Sequence, residues 1–372
     1  MFCIPEVLGN LSSVVSRHTW LLIVLVIAAG LQPLGCAPTK PLERFEFGRL
    51  CMGVQAKVVV YGPDLESTQE AAAAAFHRLN ELDAMMSDYR PESELSLLSD
   101  NAGGTWRHIS PDLMSVFAHA RRASEVSDGA FDITVGPAVK AWRAARKSKV
   151  LPGEGELAAI RGLIDWRGVE LDTASRMARV RNAGMRLDLG GIAKGYASEQ
   201  AVRLLKSKGF PSSMVALAGD IAVGAPPPGE EGWRVAVSAG PKLEPIGAVL
   251  VHDASISTSG DTQQFVVISG RRYSHIVDPR TGLGTSPSRA VTLIGQDGAD
   301  VDAAATACCI VDDSKLTAIV HAYPGMMAIV QDLEGDSTRT RVIASAHGQE
   351  PQWVARRSPT GSSIVPEGAK LN

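Results

Sequence analysis

The sequence predicts an α+β fold. Helical stripes and short β-rich runs follow one another irregularly instead of alternating strictly, which disfavours a doubly wound parallel sheet. The 372 residues are 45% apolar and 21% charged, enough to bury a substantial core in one large domain or two small ones. No internal repeat interrupts the pattern.

The first element is a signal, not part of the fold. Arg17 and His18 precede an uninterrupted apolar run from Trp20 to Gly30, the layout of an export signal. The run is shorter than the about 20 residues of a bilayer span. Cys36 follows Pro33-Leu34-Gly35 and resembles a bacterial lipoprotein cleavage box, with Pro33 where an aliphatic residue is usual. Lipid attachment at Cys36, giving an inner-membrane anchor, and plain cleavage at a nearby small residue both stand. Residues 1–36 are the signal. Residues 37–49, containing Pro and charge without periodicity, are the expected linker. The folded body spans 50–348, and a Pro-, Ser-, Gly- and Arg-rich tail, 349–372, is expected to be mobile.

Within the body, Val54 to Tyr61 predicts a strand. After the Gly62-Pro63-Asp64 break, Ala72, Phe76, Leu79, Leu82 and Met86 fall on one helical stripe. Ser110-Pro111 starts a second helix, whose apolar face is Leu113, Val116, Phe117, Ala120 and Ala123. A third follows Gly191 and ends at Gly209, with Ala197, Ala201, Leu204 and Leu205 inward. Strands are expected over Met214 to Val223, Trp233 to Ser238, Ala248 to His252, Phe265 to Ile268, Ala290 to Ile294, Met327 to Val330 and Arg341 to Ala344.

Composition excludes several functions. A net charge of −3 offers no basic surface for a phosphate backbone, so nucleic acid is not a partner. The five cysteines, at 3, 36, 51, 308 and 309, lack metal-ligand spacing. The adjacent Cys308 and Cys309 read as small buried residues.

Four segments carry chemistry. In Arg186-Leu-Asp-Leu-Gly-Gly-Ile-Ala-Lys-Gly-Tyr196 an apolar run breaks at Gly190-Gly191 and restarts as a helix. Its free N–H groups and the nearby Lys194 suit a phosphate; read alone it is a glycine turn with a surface lysine. In Ala299-Asp-Val-Asp-Ala-Ala-Ala-Thr306, Asp302 and Thr306 share one helix face. A carboxylate and a hydroxyl one turn apart suit a hard cation such as Mg²⁺, or else Asp300 or Asp302 caps the helix and Thr306 is core. Tyr273-Ser-His-Ile-Val-Asp-Pro-Arg-Thr-Gly282 puts His275 at a strand end before a tight turn, as general base or as a structural histidine. Ser127-Asp-Gly-Ala-Phe-Asp-Ile-Thr-Val-Gly-Pro137 enters a strand with Asp132 among apolar residues, either pairing with a backbone donor or touching a ligand. Ser257-Thr-Ser-Gly-Asp261 and Ala218-Gly-Asp220 are further loops of small and acidic residues.

In this order the segments resemble the ApbE family of FAD:protein FMN transferases, from about Met52 to Thr306. The likeness rests on Met52-Gly53 with Met86 to Tyr89 and Ser93 to Ser96, Phe131 to Thr134, Asp188 to Gly195, Ser259 to Asp261 with His275 to Gly282, and Asp302 to Thr306. It implies packed sheets and helices with FAD in a central cleft, and Mg²⁺ bound by Asp302, Thr306 and the Gly191 carbonyl. Met52, Tyr89, Ala130, Phe131, Asp132, Asp188, Lys194 and Ile276 would line the FAD site, with Tyr89 stacking on a ring. The implied reaction is transfer of FMN to a Ser or Thr hydroxyl of an acceptor protein with release of AMP. His275 is the candidate base and Asp261 a second one. The implied acceptor is a membrane redox subunit, and the implied location is the periplasm or the outer face of the inner membrane. An FAD pyrophosphatase and a non-catalytic flavin carrier are the alternatives. Departures from the family pattern are Val54 after Met-Gly, Ala218 before Gly219-Asp220, Ser274 before His275 and Thr262 after Ser-Gly-Asp.

Overall fold

The computed structural model describes residues 40–237, 247–260, 265–286, 289–334, 337–345 and 352–355. An antiparallel meander organises them. Strands β1 (Glu43–Cys51), β2 (Val54–Gly62), β3 (Ser213–Leu217), β4 (Asp220–Val223), β5 (Ala254–Gly260), β6 (Arg289–Gly295), β7 (Met327–Glu334) and β8 (Ser337–Ala344) lie side by side in chain order. Every neighbouring pair is antiparallel. Helices and smaller sheets are insertions between consecutive strands. Between β2 and β3 come α1 (Leu65–Met86), α2 (Glu94–Asp100), α3 (Pro111–Ser127), α4 (Gly136–Ser148), α5 (Glu154–Arg161) and α6 (Ala193–Ser207). Between β6 and β7 come α7 (Gly298–Cys308) and α8 (Asp313–Ala322). The architecture is α+β, as the irregular element order predicts.

The sheet is covered on both faces, and the period-2 pattern of its strands says which residue goes where. Val58 and Val60 join Leu217, Val291, Leu293 and Val330 beneath the helices. Val59 points the other way, with Val223, Ile256, Ile294 and Ile329, against Trp233, Val235 and Val249 of a second sheet. That sheet pairs Trp233–Val237 and Gln352–Ala355 with the central strand Gly247–Val251. A third apolar cluster sets Trp142 of α4 against Val266, Ile268 and Tyr273 of the hairpin Phe265–Ile268 and Arg271–Ser274.

The helices start where local chemistry says. Asp64 caps α1 by accepting from the Ser67 amide at 2.8 Å, and its predicted stripe is buried. Ser110 caps α3 ahead of Pro111. Asp297 caps α7 by accepting from the Asp300 amide at 3.0 Å, so neither Asp300 nor Asp302 is needed as a cap. Helix α7 is buried along its length, and its alanines and Gly298 let α6 come close. A Cβ at Gly298 would stand 2.2 Å from the Gly195 carbonyl oxygen, and one at Gly195 2.1 Å from that of Gly298. Only glycine fits at this crossing.

Several expectations need correction. The supposed linker is strand β1 from Glu43, fully paired with β2, and the compact body begins at Leu42. Part of the supposedly mobile tail, Gln352–Ala355, is a strand of the second sheet. The run Met214 to Val223 is two strands joined by a turn at Ala218-Gly219. Phe131 to Thr134 forms a turn that leads into α4 instead of a strand. The signal at 1–36 and the candidate base Asp261 lie outside the described residues. No helix among the described residues is long and apolar enough to cross a membrane.

Candidate active site

The meander and its two longest insertions converge on Asp302. Helix α7 carries Asp302 against the start of α6, where the Gly195 amide donates to its Oδ2 at 3.0 Å. Strand β5 presents Ser257, whose hydroxyl donates to Asp220 Oδ1 at 2.5 Å and lies 3.5 Å from Asp302 Oδ1. Asp220 is the first residue of β4, delivered by the Ala218-Gly219 turn. Lys194, in the first turn of α6, binds Asp220 and sits 4.0 Å from Asp302 Oδ2.

The electrostatics are unbalanced. Two carboxylates with 4% and 2% side-chain exposure share one ammonium. Burial, and next the charge of Asp220, push the Asp302 carboxyl up to about 7, against the opposing pull of Lys194. Burial alone would lower Lys194, but Asp220 and Asp302 outweigh it and hold the ammonium well above its ordinary range. Excess negative charge in a dry setting is what a divalent cation relieves.

Of the remaining predicted metal ligands, Thr306 lies one helical turn along α7 and Gly191 in the loop before α6. A Cβ built on Gly191 would meet Thr306 Oγ1 at 2.9 Å and the Phe131 ring at 3.3 Å, so residues 191 and 306 adjoin. Ser259 Oγ is 3.4 Å from Thr306 Oγ1. Carboxylates and hydroxyls here make a donor set of oxygens alone, which fits Mg²⁺.

A second group of predicted residues is tied to the first through the loop before α6. Asp188 accepts from the Gly190 amide at 2.8 Å and from Arg143 at 3.3 Å. Burial, then the charge of Asp88, raises its carboxyl, with Gly190 and Arg143 opposing. Arg143 also bridges to Asp88 at 2.5 Å and lies 4.3 Å over the ring of Tyr89. Tyr89 is 74% exposed, so the face of its ring away from Arg143 is open.

The other predicted lining residues are mostly inside the protein. Ala130, Phe131 and Ile276 are buried in the core beneath the helices. Asp132 turns its oxygens inward, Oδ1 to the Thr134 amide and hydroxyl at 2.7 Å and Oδ2 to the Trp166 amide at 3.0 Å. Its side chain fixes the turn before α4, and burial raises its carboxyl. Met52 is partly buried at the two-residue turn between β1 and β2, with φ +50° there and +72° at Gly53, the backbone that such a hairpin requires. His275 is partly exposed just past the hairpin strand Arg271–Ser274. The Trp142 indole anchors that strand by donating to the Ser274 carbonyl at 3.0 Å.

Sequence reasoning passed over three of these residues. Asp220 and Ser257 stood in loops too weak to select alone, and only the sheet brings them to Asp302. Arg143 carries no motif, and its helix was not foreseen.

A different charged cluster occupies the N-terminal end of α7. Asp300 holds His119 Nδ1 at 2.8 Å and Arg122 at 3.0 Å, while Asp297 lies 3.6 Å from His119. Their ligand-type atoms are close enough to surround an ion. Both Asp300 oxygens already hold a donor, one of them a permanent cation, so the cluster reads as a clamp between α3 and α7.

The chain resembles known proteins along most of its length. The ApbE family profile matches residues 52–330. The FAD:protein FMN transferase of Treponema pallidum is 28% identical over 335 residues, 86% of this chain and 91% of the relative. That of Escherichia coli K12 is 25% identical, over 85% and 94%. Among solved structures, the flavin transferase ApbE from Vibrio cholerae superposes with a TM-score of 0.73 at 25% identity, covering 82% of this chain and 98% of that one. The apo Pseudomonas stutzeri flavinyl transferase ApbE gives 0.72 at 25% identity, over 82% and 95%. With a family match over most of the chain and a fold that agrees with it, this protein belongs to the ApbE family.

Proposed function

We propose that the chain is an FAD:protein FMN transferase. The observation that carries this reading is the pair of buried carboxylates, Asp302 and Asp220, sharing Lys194 one helical turn from Thr306 and Gly191. The acceptor's Ser or Thr oxygen attacks the FMN-side phosphorus of FAD, and the bond from that phosphorus to the bridging oxygen breaks. AMP leaves with the bridging oxygen, and FMN remains on the acceptor as a phosphoester. His275 takes the hydroxyl proton, and Asp261 is the second candidate for that role. Lys194 has three donors, and its bond to Asp220 fixes the ammonium so that another can meet the diphosphate. Tyr89 offers its open face to a ring of the nucleotide. Mg²⁺ held by Asp302, Thr306 and the Gly191 carbonyl supplies, when bound, the neutralisation of the diphosphate charge.

The N-terminal signal-like run and Cys36 support an exported location, at the periplasmic face of the inner membrane, with a membrane redox subunit as acceptor. Incubation of the protein with FAD, Mg²⁺ and an exported redox subunit is expected to leave covalent flavin fluorescence on the acceptor and AMP in solution. Free FMN and AMP without labelled acceptor would replace this reading by FAD hydrolysis, and intact FAD by a carrier role.

A further inference from the structure

Beside the site lies a surface that the reaction so far does not use. Helix α4 and the hairpin Phe265–Ile268 and Arg271–Ser274 enclose a groove of about 290 Å³ lined by Arg143, Arg146, Lys147, Lys149, Phe265 and Val266. Four of those six carry positive charge. Arg143 is balanced by Asp88 and Asp188, but Arg146, Lys147 and Lys149 form no ion pair with a described residue. Phe265 is 45% exposed and Val267, on the same strand face, 52%, and the Arg272 guanidinium lies 3.9 Å over the Phe265 ring, so this apolar edge carries a further cation on a protein whose net charge is negative.

We propose that this groove docks the acceptor protein through an acidic segment flanking its reactive hydroxyl. The inference rests on the transferase reading and names the chemistry of that enzyme's second substrate. Three links place the groove beside the chemistry. Arg143 faces it and also holds Asp188, two residues from Gly190-Gly191. The neighbouring Trp142 anchors the Ser274 carbonyl, adjacent to His275. Phe265 pairs across the hairpin with Ser274, one residue before His275. A segment lying along α4 is thereby led toward His275, with its carboxylates over the unpaired cations and an apolar side chain on Phe265. Concavity and continuity with the site favour a polypeptide over a bilayer, which would meet a flat or convex face.

The test uses three fluorescently labelled Thr peptides, identical except for acidic, neutral or basic flanks, and the full protein. Wild type is expected to bind the acidic peptide about tenfold more tightly than the neutral one and to lose the preference in high salt. The triple reversal Arg146→Glu, Lys147→Glu, Lys149→Glu, on exposed or half-exposed positions, should shift the preference to the basic peptide. Its FAD affinity by flavin fluorescence should stay unchanged, and its melting temperature should fall by a few degrees at most, the cost of acidic side chains at the C-terminal end of α4. Equal binding of all three peptides by wild type overturns the proposal. So does a reversal that weakens FAD instead, or one that abolishes only binding to phosphatidylglycerol vesicles. Peptide binding with the expected preference but no flavin transferred to any acceptor would spare the groove and sink the transferase reading. Transfer without flank preference would do the reverse.

Discussion

Asp300 and Asp302 stand two residues apart on one buried helix, each facing cations from another helix, yet their surroundings have opposite logic. Asp300 meets His119 and Arg122, one donor for each oxygen. Asp302 must share Lys194 with a second carboxylate, Asp220, and burial with that repulsion raises its carboxyl to about 7. A matched cluster is satisfied by the protein alone and holds α3 to α7. An unmatched one keeps free energy in reserve for a ligand of the missing charge. Within one helix turn the fold thus separates a fastening from a site.

The sharpest break in this contrast is Asp302→Asn. It removes the carboxylate proposed for the metal while keeping an oxygen for the Gly195 amide. Flavin transfer in Mg²⁺ should fall by about 10²–10³-fold, the scale for losing a main electrostatic element of such a site. The melting temperature of the metal-free protein should hold or rise, because a buried like-charge contact disappears. A variant that transfers flavin at the wild-type rate would remove Asp302 from the chemistry.

Asp300→Ala is the opposite case. It leaves His119 facing Asp297 at 3.6 Å, while Arg122, 46% exposed, keeps the Ala322 carbonyl and the Tyr323 ring; with solvent screening half of the cluster, the cost is about 1–2 kcal/mol. Denaturant melts should show that loss while the folded fraction, assayed at low temperature, transfers flavin normally. Equal damage to activity would mean that the clamp belongs to the site.

How much of this contrast the sequence displayed depends on how local each contact is. Asp302 and Thr306 were legible because their spacing places them on one helix face whatever the rest of the fold does. The α1 stripe from Ala72 to Met86 was legible for the same reason. Asp220 was not, since it reaches Asp302 only through the register of β4 and β5, a pairing with no local signature. Strand β1 hid because its residues are mostly exposed at a sheet edge. Only Phe45 and Phe47 carry the period of two, amid the charges usual on edges. Arg143 hid because α4 has a Val at its cap without a side-chain bond, which leaves Pro137 in the first turn as its start signal, and Pro137 read as the end of the preceding segment. The bland reading of Asp132 turned out to describe its side chain, whereas the capping reading of Asp302 failed because Asp297 does that work.

The clamp also makes stability depend on pH in a direction that can be worked out. Bonding to Asp300 raises His119 above 6.5, against burial, with Asp297, Asp300 and Glu199 adding attraction. A folded-state value above the unfolded one means that the charged imidazole favours the folded chain. The contribution is complete below pH 6.5 and is lost as pH rises through the folded value. Comparing wild type with His119→Gln by urea unfolding from pH 5.5 to 8.5, the gap between the two should narrow toward high pH. A constant gap would show that packing alone is lost.

The smallest expected effect concerns how Asp220 is delivered to make the unmatched cluster. Ala218 sits at φ +56°, in the left-handed region where a Cβ costs roughly 1–2 kcal/mol. Gly219 cannot take a side chain, as a Cβ there would stand 2.8 Å from the Thr258 carbonyl oxygen. The strain therefore falls on Ala218. Ala218→Gly relieves it but loosens the unfolded chain by part of the same amount, so a net gain of up to about 1 kcal/mol in denaturant melts is expected. Transfer should stay within about twofold, since the β3–β4 pairing of Leu217 with Asp220 already fixes the carboxylate. A larger drop with the fold intact would mean that the strained alanine itself aims Asp220 at Lys194, so that the imbalance around Asp302 is set by backbone strain as well as by burial.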